Sequence, residues 1–277
     1  MTLLLTATRS LDGAPMARRS GAFRRSLAPL LFLAATLGGC AAGRTATTSE
    51  ADVALRTIEA GYRATPDMAI EGSVKVSGLG VTVWVDALVR ARDSMKITLT
   101  GPFAMPLGAM SATREAFEFY KADEDIVLLG TPDRATFGKL LMLPLDYDEL
   151  VALLRGEIPR VPGPDEYEVR AEGGLLYFTV RRPAQLEHLI VDPASAIVTG
   201  YTRSRIVDGA AVPELSITYS QFATFGGRQL ARRASVEING GTQRLSVSID
   251  EVDATIPADA SLALDIDPGV ERQRYRP

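Results

Sequence analysis

"TPDRATFGKLLMLPLDYDELVALLRG", residues 131–156, interrupts a chain whose polar and apolar residues otherwise alternate. Thr131 reads as a helix cap, and Pro132 occupies the first helical position. Phe137, Leu140 and Leu141 then fall on one face at helical spacing, and Pro144 ends the turn sequence. The device repeats at once. Asp146 caps a second helix, Glu149 stands three residues on as in a capping box, and Gly156 suits a left-handed stop. Tyr147, Leu150, Val151 and Leu154 form its apolar stripe. Two short amphipathic helices need an apolar surface to lie on, and the flanking sequence must supply it.

Strands lie on both sides. Before the insert, "MAIEGSVKVS" (68–77) alternates, and "VTVWVDALVRAR" (81–92) puts Val81, Val83, Val85, Ala87 and Val89 on one face. Thr82, Trp84, Asp86, Leu88 and Arg90 take the other face. This period of two marks half-buried strands. Trp84 reads as a packing residue. "SMKITLTG", "EAFEFYK" and "DIVLLG" continue the pattern. After the Pro-rich connector 158–166, strands follow at about 166–172, 174–182, 186–192, 196–207, 214–225, 228–239 and 241–253. Gly173-Gly174, Asp208-Gly209, Gly226-Gly227 and Gly240-Gly241 mark hairpin turns. An N-terminal helix, with Ser49 as cap and Asp52 three residues on, carries Leu55, Ile58 and Tyr62 and stops at Pro66. The expected fold is mainly β: one large, curved antiparallel sheet, with the 131–156 helices on its concave face.

"TGPFAMPLGAM" (100–110) joins two of the strands. Gly101, Pro102, Pro106 and Gly108 punctuate it as a loop, yet Phe103, Met105 and Leu107 are large and apolar. The residues alone favour folding of these side chains back onto the core.

The N-terminus carries a separate signal. Arg18, Arg19, Arg24 and Arg25 precede an apolar run, Leu27–Leu37, and then "LGGC" at 37–40. A basic segment, a short apolar segment and small residues at a cut site form a secretory signal. The run falls short of the ~20 apolar residues that span a membrane. A cysteine directly after two glycines resembles the lipobox of bacterial lipoproteins, which makes Cys40 the expected acylated first residue of the mature protein. Either Met1 or Met16 can be the start. The expected organisation is a signal peptide over 1–39, a lipid-anchored tether over 40–50, one domain over 51–267 and a disordered tail over 268–277.

Cys40 is the only cysteine, so the exported domain has no disulfide and depends on its core. Beyond residue 40 the chain holds 25 Lys and Arg against 33 Asp and Glu, a net charge of −8. That balance excludes a nucleic-acid partner, whose phosphates require a basic surface.

Catalytic patterns are weak. Seven residues separate Gly130 from Gly138, and Leu140 follows Lys139, so no phosphate loop is formed. His188 is the sole histidine, which rules out a histidine-based metal cluster. No G-x-S-x-G offers a nucleophile. Asp123, Glu124 and Asp125 read as a solvated turn. A carboxylate pair of the glycosidase type stays open on sequence alone. The expectation is a non-enzymatic protein with no cofactor and no metal.

Between residues 50 and 160 the chain resembles the LolA/LolB-like lipoprotein carriers and receptors of bacterial envelopes. The resemblance rests on the lipobox and following helix, the strand ending in Gly101-Pro102-Phe103, the "FGKLL" helix at Phe137–Leu141, and a closing "LLRGEIP" at Leu153–Pro159 with one residue more than the family's pattern. Its loop from Gly101 to Gly108 reads as longer than the receptor's short turn. The resemblance implies a half-open barrel whose helices cover an apolar cavity for acyl chains of a lipoprotein or lipid. Val83, Val85, Leu99, Leu129, Phe137, Leu141, Val151 and Leu154 are the candidate lining. It further implies that Phe103, with Met105 and Leu107, enters a membrane or grips cargo. The implied partners are the membrane itself, through the lipid, and a periplasmic carrier protein. Ala41 after the cysteine implies the outer membrane, facing the periplasm. The alternative is a structural or assembly lipoprotein that binds a protein partner and fills the trough with its own side chains.

Overall fold

The computed structural model describes residues 48–276 apart from 65, 66, 79, 226, 227, 255 and 258. The signal segment, Cys40, most of the tether, Pro66 and the Gly226-Gly227 turn lie outside the described residues. The account below concerns the unit Ala41–Pro277.

Fourteen strands form one open sheet made of two meanders. The first runs β1 (Met68–Val76), β2 (Thr82–Arg90), β3 (Ser94–Thr100), β4 (Pro106–Thr113), β5 (Phe117–Lys121) and β6 (Ile126–Gly130). The second runs β7 (Tyr167–Glu172), β8 (Leu175–Arg182), β9 (Gln185–Asp192), β10 (Ile197–Val207), β11 (Ala210–Phe225), β12 (Arg228–Ile238) and β13 (Gln243–Asp253). β1 pairs with β13 and joins the two, giving the order β14-β6-β5-β4-β3-β2-β1-β13-β12-β11-β10-β9-β8-β7. Neighbours are antiparallel except for β14 (Glu271–Arg274), which runs parallel to β6. This is the expected mainly β fold.

Alternation decides which face is covered. In β2, Val85, Ala87 and Val89 are buried while Trp84 and Asp86 are exposed. The same period places Met95 and Ile97 of β3, Phe178 and Val180 of β8, and Val236 and Ile238 of β12 in one continuous core.

The helices fill that face. α1 (Thr48–Ala64) buries Leu55, Ile58 and Tyr62 at the expected spacing. It begins before Ser49, so Ser49 lies within the helix rather than capping it. α2 (Arg134–Leu140) and α3 (Tyr147–Arg155) lie between β6 and β7, which stand far apart at the two sides of the sheet, so this connection must cross the trough. Asp133, not Thr131, caps α2: its carboxylate accepts from the Thr136 N–H at 2.8 Å. Pro132 therefore precedes the helix. α3 matches its expected form. Asp146 and Glu149 make a reciprocal capping box, and Gly156 ends the helix at φ 61°. Every α3 residue except Asp148 is buried, so the helix is embedded in the domain rather than laid over it.

The tail departs from expectation. Residues 271–274, read as disordered from their run of charged and polar side chains, form β14. Edge strand β6 offered unpaired backbone groups, and the tail satisfies them; beyond the strand, the Tyr275 N–H donates to the Leu129 carbonyl at 2.8 Å. Arg272 pairs with Glu118 at 3.1 Å, which helps hold the register.

Candidate functional site

The β3–β4 connection is much tighter than the sequence reading of 101–108 as a long loop. β4 begins at Pro106, leaving only Gly101–Met105. The Gly101 N–H donates to the Met105 carbonyl at 2.7 Å, and the Met105 N–H to the Pro102 carbonyl at 3.3 Å. Phe103 and Ala104 both have positive φ, 60° and 58°. Tight hairpin turns of this kind favour Asn-Gly there, because a Cβ in the left-handed region costs about 1–2 kcal/mol per residue. The chain instead places a phenylalanine at the tip with 103 % relative exposure. Met105 is also exposed. Leu107 is not part of the tip: it lies in β4, half-buried, and folds over Gly101, where a Cβ would meet its Cδ2 at 3.1 Å. Leu107 thus braces the turn from behind.

The strand directions define two ends of the sheet. The turns β1–β2, β3–β4, β5–β6, β8–β9, β10–β11 and β12–β13 share one end. Exposed large apolar side chains concentrate there. Val81, Phe103, Met105, Val207 and Val212 lie in or beside these turns. Met142 reaches the same end, since its carbonyl accepts from Nε2 of Gln243, the first residue of β13, at 2.9 Å. Trp84, 46 % exposed, is two residues into β2 on the outward face. It is thus not a core packing residue. Val53 of α1 is exposed as well.

The opposite end is closed by ion pairs. The helix-ending "RGEIP" at 155–159 buries Arg155 and Glu157 completely. Glu157 receives Arg155 at 2.9 Å, Arg228 at 2.6 Å and Arg92 at 3.4 Å. The Tyr219 hydroxyl donates to the Glu157 carbonyl at 2.7 Å, and the Ile158 N–H donates to the Tyr62 hydroxyl at 3.2 Å. Arg228 also lies over the Tyr62 ring, 4.6 Å from its centroid. Burial, with Glu157 nearby, drives the Tyr62 hydroxyl well above its ordinary pKa, so it stays protonated. Burial lowers the Arg155 pKa, and its pairing with Glu157 opposes that.

A second cluster ties the helices to the sheet. Arg134 of α2 reaches Glu149 at 3.0 Å and Asp146 at 2.7 Å. Buried Arg203 of β10 contacts Glu149 and lies 3.5 Å from Glu214. Burial, followed by the nearby Arg134 charge, pushes the Arg203 pKa down to about 10.

The candidate cavity residues divide. Val85, Phe137, Val151 and Leu154 are buried in the core, and Phe137 meets the Phe117 ring edge-on at 5.9 Å. Leu99 and Leu141 are half-buried against it. Val83 and Leu129 are half-buried and not part of it. Open hollows lie elsewhere. One of about 640 Å³ is lined by Arg63, Arg92, Arg114 and Arg160 beside Tyr62. One of about 250 Å³ under α1 is lined by Ile58, Phe222 and Arg228 among others. His188 is exposed on β9, 3.2 Å from the Thr179 hydroxyl, with its pKa lowered by partial burial and by Arg181 and Arg170. No group of three or more metal-ligating side chains occurs among the described residues. No helix among them is long and apolar enough to cross a membrane.

An open antiparallel half-barrel with helices crossing its core face is a LolA/LolB-like fold. Solved structures share it, three of them as follows. A putative outer membrane lipoprotein-sorting protein domain from Vibrio parahaemolyticus aligns at TM-score 0.52 and 10 % identity, over 75 % of this chain and 93 % of that one. A LolA superfamily protein from Nitrosomonas europaea aligns at 0.51 and 11 %, over 76 % and 95 %. A DUF1329 family protein from Desulfovibrio piger aligns at 0.54 and 12 %, over 77 % and 94 %. No protein-family model and no curated protein matches the sequence. At these identities the likeness shows the fold.

Proposed function

We propose that this protein is a lipid-anchored envelope protein that handles the acyl chains of lipoproteins or lipids and passes them to a bilayer through the Phe103 turn. The observation that carries this reading is the turn itself. A fully exposed phenylalanine in a left-handed turn gains nothing for the fold, and it offers about 1.5–3 kcal/mol of transfer free energy to any apolar phase it enters. Cys40 would carry the lipid that holds the domain at the membrane, on the outer membrane's periplasmic side, with a periplasmic carrier supplying cargo. Acyl chains would occupy the space that α2 and α3 fill here, lined by residues such as Val85, Phe137, Val151 and Leu154. Loading then requires the helices to move, and the Glu149–Arg203 pair is the contact that must give. The protein acts by binding and release, without bond-making chemistry.

The embedded α3 favours a second reading: a structural or assembly lipoprotein whose trough stays filled while it meets a protein partner. Native mass spectrometry of the protein extracted from membranes separates the two. Co-purifying acyl lipid or lipoprotein supports the carrier, whereas a lipid-free protein with a stoichiometric partner supports the assembly role. The turn is tested by the double change Phe103→Asn with Ala104→Gly, which installs the residues the backbone prefers. Folding stability should hold or rise, while transfer of an acylated peptide to phosphatidylcholine vesicles should fall about tenfold or more. Unchanged transfer removes the turn from the mechanism.

A further inference from the structure

We propose that Trp84 is a second lipid contact, which acts with the Phe103 turn to seat this end of the sheet on a bilayer in one orientation. The inference rests on the reading of that turn as membrane-entering, and it adds the depth and tilt of docking. Trp84 sits on the outward face, directly between Ser73 of β1 and Thr100 of β3. Both cross-strand neighbours are small and polar, and the indole is left 46 % exposed between them. Thr100 is the residue that leads into Gly101, so Trp84 stands one strand away and just behind the Phe103 tip. An indole behind an apolar tip matches the two layers of a membrane surface: phenylalanine enters the hydrocarbon while tryptophan, with an apolar ring and a polar N–H, sits among the headgroups.

Charge and reach select a lipid surface as the occupant. "SGLGV" (77–81) and "GPFAM" (101–105) contain no charged residue, and Val81 in the first is exposed. The next turn on that end carries Asp123, Glu124 and Asp125, and Asp125 joins Asp265 and Asp267 around one hollow. Acidic flanks repel anionic headgroups, so the contact suits zwitterionic lipid. Eight residue steps separate Cys40 from Thr48, the start of α1, a span of at most about 29 Å. An acylated Cys40 therefore keeps the domain within reach of a bilayer at all times.

The chain contains one tryptophan, so its fluorescence reports this contact alone. The acylated protein is reconstituted into phosphatidylcholine vesicles, some with bromine on the upper acyl chain and some with bromine at its far end. Trp84 emission should be quenched about twofold by the upper bromines and less by the deep ones. Phe103→Glu should abolish that quenching, although the lipid still holds the protein on the vesicle. Trp84→Ser should lower acyl transfer several-fold, with Trp84→Phe recovering part of it. If Trp84 stays unquenched while Phe103→Glu still blocks transfer, the second contact is wrong and the turn's role stands. If neither the bromines nor Phe103→Glu has an effect, both fail. Quenching that persists in Phe103→Glu would overturn the joint docking.

Discussion

The two ends of the sheet are built on opposite principles. At one end, hairpin turns leave Phe103 fully exposed and Met105, Val81, Val207 and Val212 exposed over a third or more of their surface. At the other, the fully buried Glu157 carboxylate is enclosed by the guanidiniums of Arg155, Arg228 and Arg92, which are largely withdrawn from water. Each arrangement costs free energy in isolation. Exposed apolar side chains forfeit burial, and buried ions forfeit hydration. The difference teaches which end must stay shut and which must meet something. The ionic end is a closure: α3 begins near Arg114 in the β4–β5 turn and finishes among Arg92 and Arg228. The apolar end has no covering element among the described residues, and the proposed membrane contact would supply one.

The strongest way to break this contrast is Glu157→Ala. Removing one carboxylate leaves Arg155 buried at 0 % exposure beside an emptied space, and the loss should be about 3–5 kcal/mol by denaturant unfolding. A loss below about 1 kcal/mol would mean that the ionic end does not close the domain. Phe137→Ala comes next, with about 3–5 kcal/mol expected from an edge-packed ring at 0 % exposure. If α2 instead swings readily off the sheet, the measured cost will be much smaller. Asp133→Ala should cost about 1 kcal/mol through the lost cap of α2 and leave α3 untouched, which amide exchange of the two helices can check. At the apolar end, Phe103→Glu should change stability by no more than about 0.5 kcal/mol while reducing vesicle contact. Val212→Ser is the mildest probe. It should leave folding intact and weaken docking less than about threefold, and any larger effect would widen the docking face to the β10–β11 hairpin.

How much could be read in advance follows from the range of the forces involved. Period-two alternation in 81–92 placed Val85, Ala87 and Val89 on one face because strand geometry is local. Asp146, Glu149 and Gly156 announced α3 because capping is satisfied within four residues. Thr131 was a plausible cap, yet Asp133 won because a carboxylate accepts the Thr136 N–H and the helix starts after Pro132. The β14 pairing was illegible, since its partner β6 lies far away in the chain and its own side chains are all polar. The burial of Arg155 and Glu157 has almost no local signature. The one hint was their place between Leu154 and Ile158, both of which proved buried. Phe103, Met105 and Leu107 stand out as apolar residues between turn residues, but a Phe-Ala pair rarely adopts the left-handed conformation, so the tight tip at 103–104 has no signature in the sequence.

The β1–β13 pairing sets the order in which the molecule can be made. Val76 sits opposite Leu245, so the central seam joins segments that are synthesised far apart in time. The first meander must wait, with one flank unsatisfied, until nearly the whole chain has arrived. Such long-range closure slows folding and leaves strand edges open to wrong pairing. During that interval the half-made sheet exposes the edge of β1 to mispairing.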